Sequence, residues 1–208
     1  VTTPISCVPA YPDLPVSYPP YNCITEVNTT GVTDFTDGWF ACSGLTEFPC
    51  VDSSAVTNFN YTWQYCYNLT SFPKLDTSAG QDFTYSWAYT GLTSFPKLNM
   101  GNGTIFNGTW EGCYYLSSFP AVNMGKAQDL SYAWYGCENL TSFPAINLSL
   151  GEVFNSTWGN CPGLTSFPAI NLSSGTDFSS AWEDCPGLTS FPTIDVSSGE
   201  NFYAAWYN

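Results

Sequence analysis

The sequence predicts an α/β solenoid of about eight turns, each built from one short parallel strand and one two-turn helix. Its eight tryptophans stand in a single column, Trp39, Trp63, Trp87, Trp110, Trp134, Trp158, Trp182 and Trp206, stepping by 24 residues and once by 23. A fixed period of this length marks a unit that cannot bury its own apolar face and must stack on copies of itself. Within the unit, an apolar pattern of helical period alternates with a short apolar segment closed by proline.

The helix is predicted from Phe178, Ala181, Trp182 and Cys185, which lie at i, i+3, i+4 and i+7 and so share one helical face. The same face recurs with Phe154, Thr157, Trp158 and Cys161. Before the Phe stands Asp34, Asn58, Asp82, Asp129, Asp177 or Asn201, a residue type that caps the first helical N–H groups; Ile105 and Val153 break this column. Two residues past the Cys comes Gly44, Gly163, Gly187, Asn68 or Asn139, and Gly/Asn exchange predicts a left-handed residue closing the helix.

Leu188-Thr189-Ser190-Phe191-Pro192 reads as the strand, with Leu and Phe inward, Thr and Ser outward, and a proline that cannot continue a ladder. The turn Trp87-Ala88-Tyr89-Thr90-Gly91-Leu92 is one residue short, and the missing residue is expected at the Cys position.

Residues 1–26 differ in kind. Pro4, Pro9, Pro12, Pro15, Pro19 and Pro20 alternate with Tyr11, Tyr18 and Tyr21, which predicts an extended, polyproline-like N-terminal arm ahead of a solenoid over 27–208. The repeat register resumes at Val27-Asn28 without a Leu-Thr-Ser-Phe-Pro segment for its first turn, and the chain stops at Trp206-Tyr207-Asn208 ahead of the next one. Uncapped solenoid ends and a detachable arm are expected to favour head-to-tail association of the chain with itself.

The core Trp134-x-x-Cys137-x-x-Leu140-Thr-Ser-Phe143-Pro144 resembles the BspA-like leucine-rich repeats of bacterial and protist surface proteins. The resemblance covers residues 27–208. It implies a leucine-rich-repeat-like, right-handed stack and a surface, adhesive or matrix role without a shared catalytic residue. Tryptophan in place of the commoner helix phenylalanine and a proline closing each strand depart from that pattern.

Composition excludes several classes. Seventeen acidic residues against three lysines, with a net charge of -14, cannot neutralise phosphates, so nucleic acid is not an expected partner. No run approaches the roughly 20 apolar residues of a membrane span, so membrane insertion is not expected. Val1 in place of Met, nine cysteines and nine Asn-x-Ser/Thr triplets point to a secreted chain, extracellular or at the cell surface. With no histidine, no arginine, no nucleophile elbow and no phosphate loop, the sequence predicts no enzyme and no cofactor.

Candidate site residues fall into columns. The tryptophans are the predicted core ladder. Cys42, Cys66, Cys113, Cys137, Cys161 and Cys185 sit on the helix face and read as buried thiols, whereas Cys7, Cys23 and Cys50 lie outside it and are the disulfide candidates. Glycan acceptors are Asn28, Asn60, Asn68, Asn102, Asn107, Asn139, Asn147, Asn155 and Asn171, with Asn60, Asn107 and Asn155 expected to point outward from the helix. Asn28, Asn147 and Asn171 also belong to a ladder with Asp52, Asp76, Asn99, Asn123 and Asp195, which could bond neighbouring backbones or hold calcium. A structural subunit of a glycosylated extracellular filament or surface layer is the leading expectation. The alternative is a surface adhesin or glycan-binding module that uses the outward strip of Thr70, Thr93, Thr141, Thr165 and Thr189 with the serines beside them.

Overall fold

In the computed structural model, which describes residues 27–208, the chain stacks turn on turn with the expected period but builds no helix and no strand among those residues. The α/β solenoid is therefore corrected: the periodic stack is present, and its secondary structure is not. The predicted arm, residues 1–26, lies outside the described residues, as do Cys7 and Cys23.

The segment read as a helix is a run of turns in which alternate peptides point along the stack. In the turn of Trp63, the amides of Phe59, Tyr61, Trp63 and Tyr65 donate to the carbonyls of Asp82, Thr84, Ser86 and Ala88 one turn ahead, at 2.8–3.0 Å. Between them, Thr62, Gln64 and Cys66 donate back to Phe59, Tyr61 and Trp63 at 3.1–3.3 Å. A right-handed helix commits every interior amide to the carbonyl four residues back, which leaves none for the next turn.

This alternation requires left-handed backbone two residues before and two after each tryptophan from Trp39 to Trp182. Tyr61 (φ 55°) and Tyr65 (φ 63°) flank Trp63, Gly108 (φ 57°) and Gly112 (φ 64°) flank Trp110, and twelve non-glycine residues adopt positive φ in all among the described residues. Each costs roughly 1 to 2 kcal/mol. A hydrogen bond returns about 1 kcal/mol net, so the surplus must come from the core.

That core is aromatic. Successive tryptophans stack face to face, as in Trp110 and Trp134 (5.0 Å, 11°) and Trp158 and Trp182 (5.3 Å, 9°). A parallel column runs through Phe59, Phe83 and Phe106, and Phe154 stacks on Phe178 in the same register. A second phenylalanine column, from Phe48 to Phe191, meets the indoles edge to face, as Phe119 meets both Trp110 and Trp134. From Trp63 to Trp182 the indoles are at most 1% exposed. Six of them, Trp63, Trp87, Trp110, Trp134, Trp158 and Trp182, have an indole N–H with no oxygen or nitrogen partner. Their edge-on neighbours are phenyl rings, whose faces accept N–H only weakly.

The predicted strand fails on period. Leu69 and Phe72 both face the core while Thr70 and Ser71 are exposed, and two residues three apart cannot share a face of an element whose side chains alternate every two. The segment bends instead and pairs through isolated parallel bridges such as Glu47 with Ser71, Ser94 with Ser118 and Ser142 with Ser166.

The short turn is also corrected. Thr90, not a gap, occupies the Cys position three residues after Trp87; it is buried, with its hydroxyl 3.3 Å from the Cys113 sulfur. The lost residue belongs to the following corner, where Gly91 has no room for a Cβ, which would lie 2.4 Å from the Tyr67 carbonyl oxygen.

The Gly/Asn column does not close a helix either. The left-handed positions flank the tryptophan, and Gly163, Gly187, Asn68 and Asn139 are not among them. A Cβ at Gly163 would meet the Glu138 carbonyl oxygen at 2.5 Å, and Asn68 and Asn139 use their amides to reach back to the carbonyls of Ser43 and Tyr114, each at 2.7 Å.

Candidate functional site

The residues expected as helix caps form Asx turns that open each coil. The Asp34 carboxylate accepts the amide and hydroxyl of Thr36, at 2.8 and 2.6 Å, and Asp82, Asp129 and Asp177 repeat this with Thr84, Ser131 and Ser179. The capping chemistry was legible; the helix it was assigned to is absent. The same residues carry the parallel bridges from turn to turn, Ile105 and Val153 included.

The second ladder works similarly. Asp52 and Asp76 accept the amides and hydroxyls of Ser54 and Ser78, and these bonds hold both carboxyls below the usual carboxylate range; Asp195 is lowered by the same partners in Ser197. The bond between turns comes from the next residue: the hydroxyls of Ser53 and Thr77 donate to the carbonyls of Asp76 and Asn99 at 2.8 and 2.7 Å. Among the described residues no three Cys, Asp or Glu side chains gather as a metal site.

The acceptor asparagines divide by engagement. Asn60 and Asn155 are half-buried, and their amide nitrogens donate to Asp82 at 3.1 Å and to the Ser179 hydroxyl at 2.8 Å. Asn107 is also half-buried, and the hydroxyl of its triplet, Thr109, is buried and donates to the Phe83 carbonyl. Asn68, Asn102 and Asn139 are exposed with their nitrogens engaged, Asn102 at 2.8 Å on the Ser78 carbonyl. Asn28, Asn147 and Asn171 are exposed too, and only their side-chain oxygens are engaged, each accepting the amide of the triplet's third residue.

The cysteine column is buried from Cys42 to Cys185, and Cys50 is exposed. Each inner thiol lies against the tryptophan carbonyl of the preceding turn: Cys66 to Trp39 at 3.1 Å, Cys113 to Trp87 at 3.2 Å, Cys137 to Trp110 at 3.3 Å and Cys185 to Trp158 at 3.0 Å. Cysteine is thus a small side chain with a weak donor where that carbonyl still has a lone pair to offer. Thr62, Ser86, Thr109 and Thr157 perform the same task for the carbonyl of the preceding Phe or Leu. Burial pushes the Cys113 thiol up to about 11 and raises Cys137 as well.

One cluster was not read from the sequence. Left-handed backbone turns side chains outward beside the tryptophans, and there Tyr61 stacks on Tyr85 (5.6 Å, 7°) and Tyr65 on Tyr89 (5.1 Å, 24°). The next turn carries Gly108 and Gly112 at these positions, where a Cβ would come within 2.3 and 2.4 Å of the Tyr85 and Tyr89 rings. The Tyr89 hydroxyl donates to the half-buried carboxylate of Glu111, whose pKa burial raises against the opposing bonds from Tyr89 and Tyr85. Burial pushes the Tyr85 phenol up to about 12, and burial together with the Glu111 bond raises Tyr89. The spacing of tyrosines around the Trp column shows the stacked pairs, but the axial backbone that sets Tyr89 against Glu111 does not follow from it.

The outward strip is exposed as expected, and its hydroxyls fold back on the preceding turn: Thr165 to Thr141 at 3.1 Å and Ser117 to Thr93 at 3.2 Å. A cleft of about 180 Å³ opens at the last turn between Trp182, Phe191 and Trp206. Among the described residues, no helix is long and apolar enough to cross a membrane.

Comparison with known protein families, with curated proteins and with solved structures found no match.

Proposed function

We propose that the chain is a structural subunit of an extracellular filament or surface layer, glycosylated on asparagine and joined to further copies end to end. The observation that supports this reading is the polarity of the turn. Beside each tryptophan four axial amides face the next turn and four carbonyls the preceding one, while amides such as Thr57 and Thr70 donate the other way, to Thr33 and Thr46, so the two edges of a turn differ and fit each other, in register with stacked rings. A surface of this kind recognises another turn of the same repeat, and a heterologous contact of unlike ends that does not close into a ring propagates as an open filament. Sedimentation and electron microscopy of the purified chain over a concentration series test it. Concentration-dependent rods with a repeat along the stack axis support the proposal, and monomers throughout sink it.

A second reading uses the exposed Thr/Ser strip as an adhesive or glycan-binding face, motivated by its exposure and by hydroxyls that bond from turn to turn along it. Replacing Thr141 and Thr165 by Lys separates the two. Loss of surface binding with assembly intact favours the strip.

A further inference from the structure

Seven stacked pairs join Trp39 to Trp206 in one column, with ring centroids 5.0–6.1 Å apart and planes within 15° of parallel. Indole gives up one electron more readily than any other side chain in this core. The radical cation is normally trapped when its N–H proton passes to a base. Here six consecutive buried indoles offer that proton no oxygen or nitrogen acceptor. The hole then keeps its proton and faces a neighbour of nearly equal energy on each side, the condition for hopping rather than trapping.

A way out exists beside the middle of the column. Tyr89, two residues from Trp87, donates its hydroxyl to the Glu111 carboxylate, and Glu111 adjoins Trp110 in the chain. A phenol hydrogen-bonded to a carboxylate can lose its electron and proton together.

We propose that the tryptophan column carries single-electron oxidation along the stack and delivers it to the Tyr89–Glu111 pair. A one-electron oxidant at the surface takes an electron from an accessible tryptophan and is reduced. The hole moves from indole to indole, and Tyr89 supplies the electron that refills Trp87 or Trp110. Its hydroxyl proton passes to Glu111. The net products are the reduced oxidant, a Tyr89 phenoxyl radical and a protonated Glu111. The inference does not depend on assembly into filaments.

Pulse radiolysis with the azide radical, an oxidant of tryptophan, tests it on the full chain. In the unassembled chain Trp206 is 48% exposed and Trp39 only 6%, so at protein concentrations that keep the chain monomeric entry is mainly at Trp206. Tyr203→Phe and Tyr207→Phe remove the exposed phenols nearest in sequence to that entry. In this background the tryptophanyl absorption should decay as a tyrosyl absorption grows, at a rate independent of protein concentration. Trp134→Phe keeps a ring in the core but breaks the redox chain, and the growth should be lost; Trp158→Phe serves if Trp134→Phe does not fold. Tyr89→Phe should also abolish it, and Glu111→Gln should leave the protonated tryptophan radical long-lived. Tyrosyl growth that never appears, or that survives both column breaks, overturns the proposal; growth that survives Tyr89→Phe overturns the assigned exit.

Discussion

The Trp87 amide donates at 2.9 Å to the carbonyl of Thr109 in the next turn, not to Phe83 four residues back. This bond and its equivalents convert a segment with helical apolar spacing into one axial rung of a stack. The cost is left-handed backbone on both sides of the tryptophan, and the return is continuous ring stacking.

Glycines at these positions differ in what surrounds them. A Cβ at Gly112 would sit 2.4 Å from the Tyr89 ring, whereas at Gly136 it meets nothing closer than 3.7 Å, although both have positive φ. Gly136→Ala should therefore cost about 1 kcal/mol of backbone strain. Gly112→Ala adds a steric conflict of about 1 to 3 kcal/mol and displaces Tyr89 from Glu111. Urea unfolding of the two variants checks the order.

Trp134 is fully buried between two indoles and two phenyl rings. Trp134→Ala should destabilise by about 3 to 5 kcal/mol. The near-ultraviolet circular dichroism of the stacked indoles should fall by more than one chromophore's share, because neighbouring pairs are uncoupled as well.

Among the described residues only Cys50 is an exposed cysteine. Native protein should react with a thiol reagent at Cys50 and at none of the six column cysteines, which become reactive on unfolding. Cys113→Ser keeps a donor for the Trp87 carbonyl, while Cys113→Ala loses it, so the serine variant should be the more stable where packing is otherwise equal. Thr90 already shows that a hydroxyl is tolerated in this column.

Alkaline stability follows from the tyrosine cluster. Tyr85 is held protonated up to about 12 in the fold but ionises near the ordinary 10.0 in the unfolded chain, and Tyr89 is shifted the same way. The stability Tyr85 contributes is complete below pH 10, declines as pH rises above it and is lost by about 12, and that of Tyr89 declines in the same direction. Ultraviolet titration should show these phenols ionising late, together with unfolding, and Gly112→Ala should bring Tyr89 forward.

Much of the stack was legible because period and burial depend only on which residues recur. The tryptophan, cysteine and phenylalanine columns, the outward Thr/Ser strip and the Asx chemistry at Asp34, Asp82 and Asp177 all stand where the repeat puts them. The secondary structure was not legible, because Phe, Trp and Cys at i, i+4 and i+7 satisfy a helix and an axial rung alike. The discriminating trace lay in columns beside the tryptophan. Asp37, Gly108, Gly112, Gly136, Asn160 and Asp184 are residue types that tolerate positive φ, but tyrosine, alanine and serine fill most of the same two columns, so the trace was faint. In the strip, Leu69 and Phe72, three apart and both inward, already contradicted a strand. The Tyr89–Glu111 pair depends on that backbone path and could not be placed without it.

The axial rung is tested most directly by NMR couplings across hydrogen bonds in doubly labelled protein. The account predicts a coupling from the Trp87 amide nitrogen to the Thr109 carbonyl carbon, with counterparts from Trp63 to Ser86 and from Trp134 to Thr157. Couplings from Trp87 to Phe83 and from Trp134 to Leu130, four residues back in each case, would restore the helix and contradict the account.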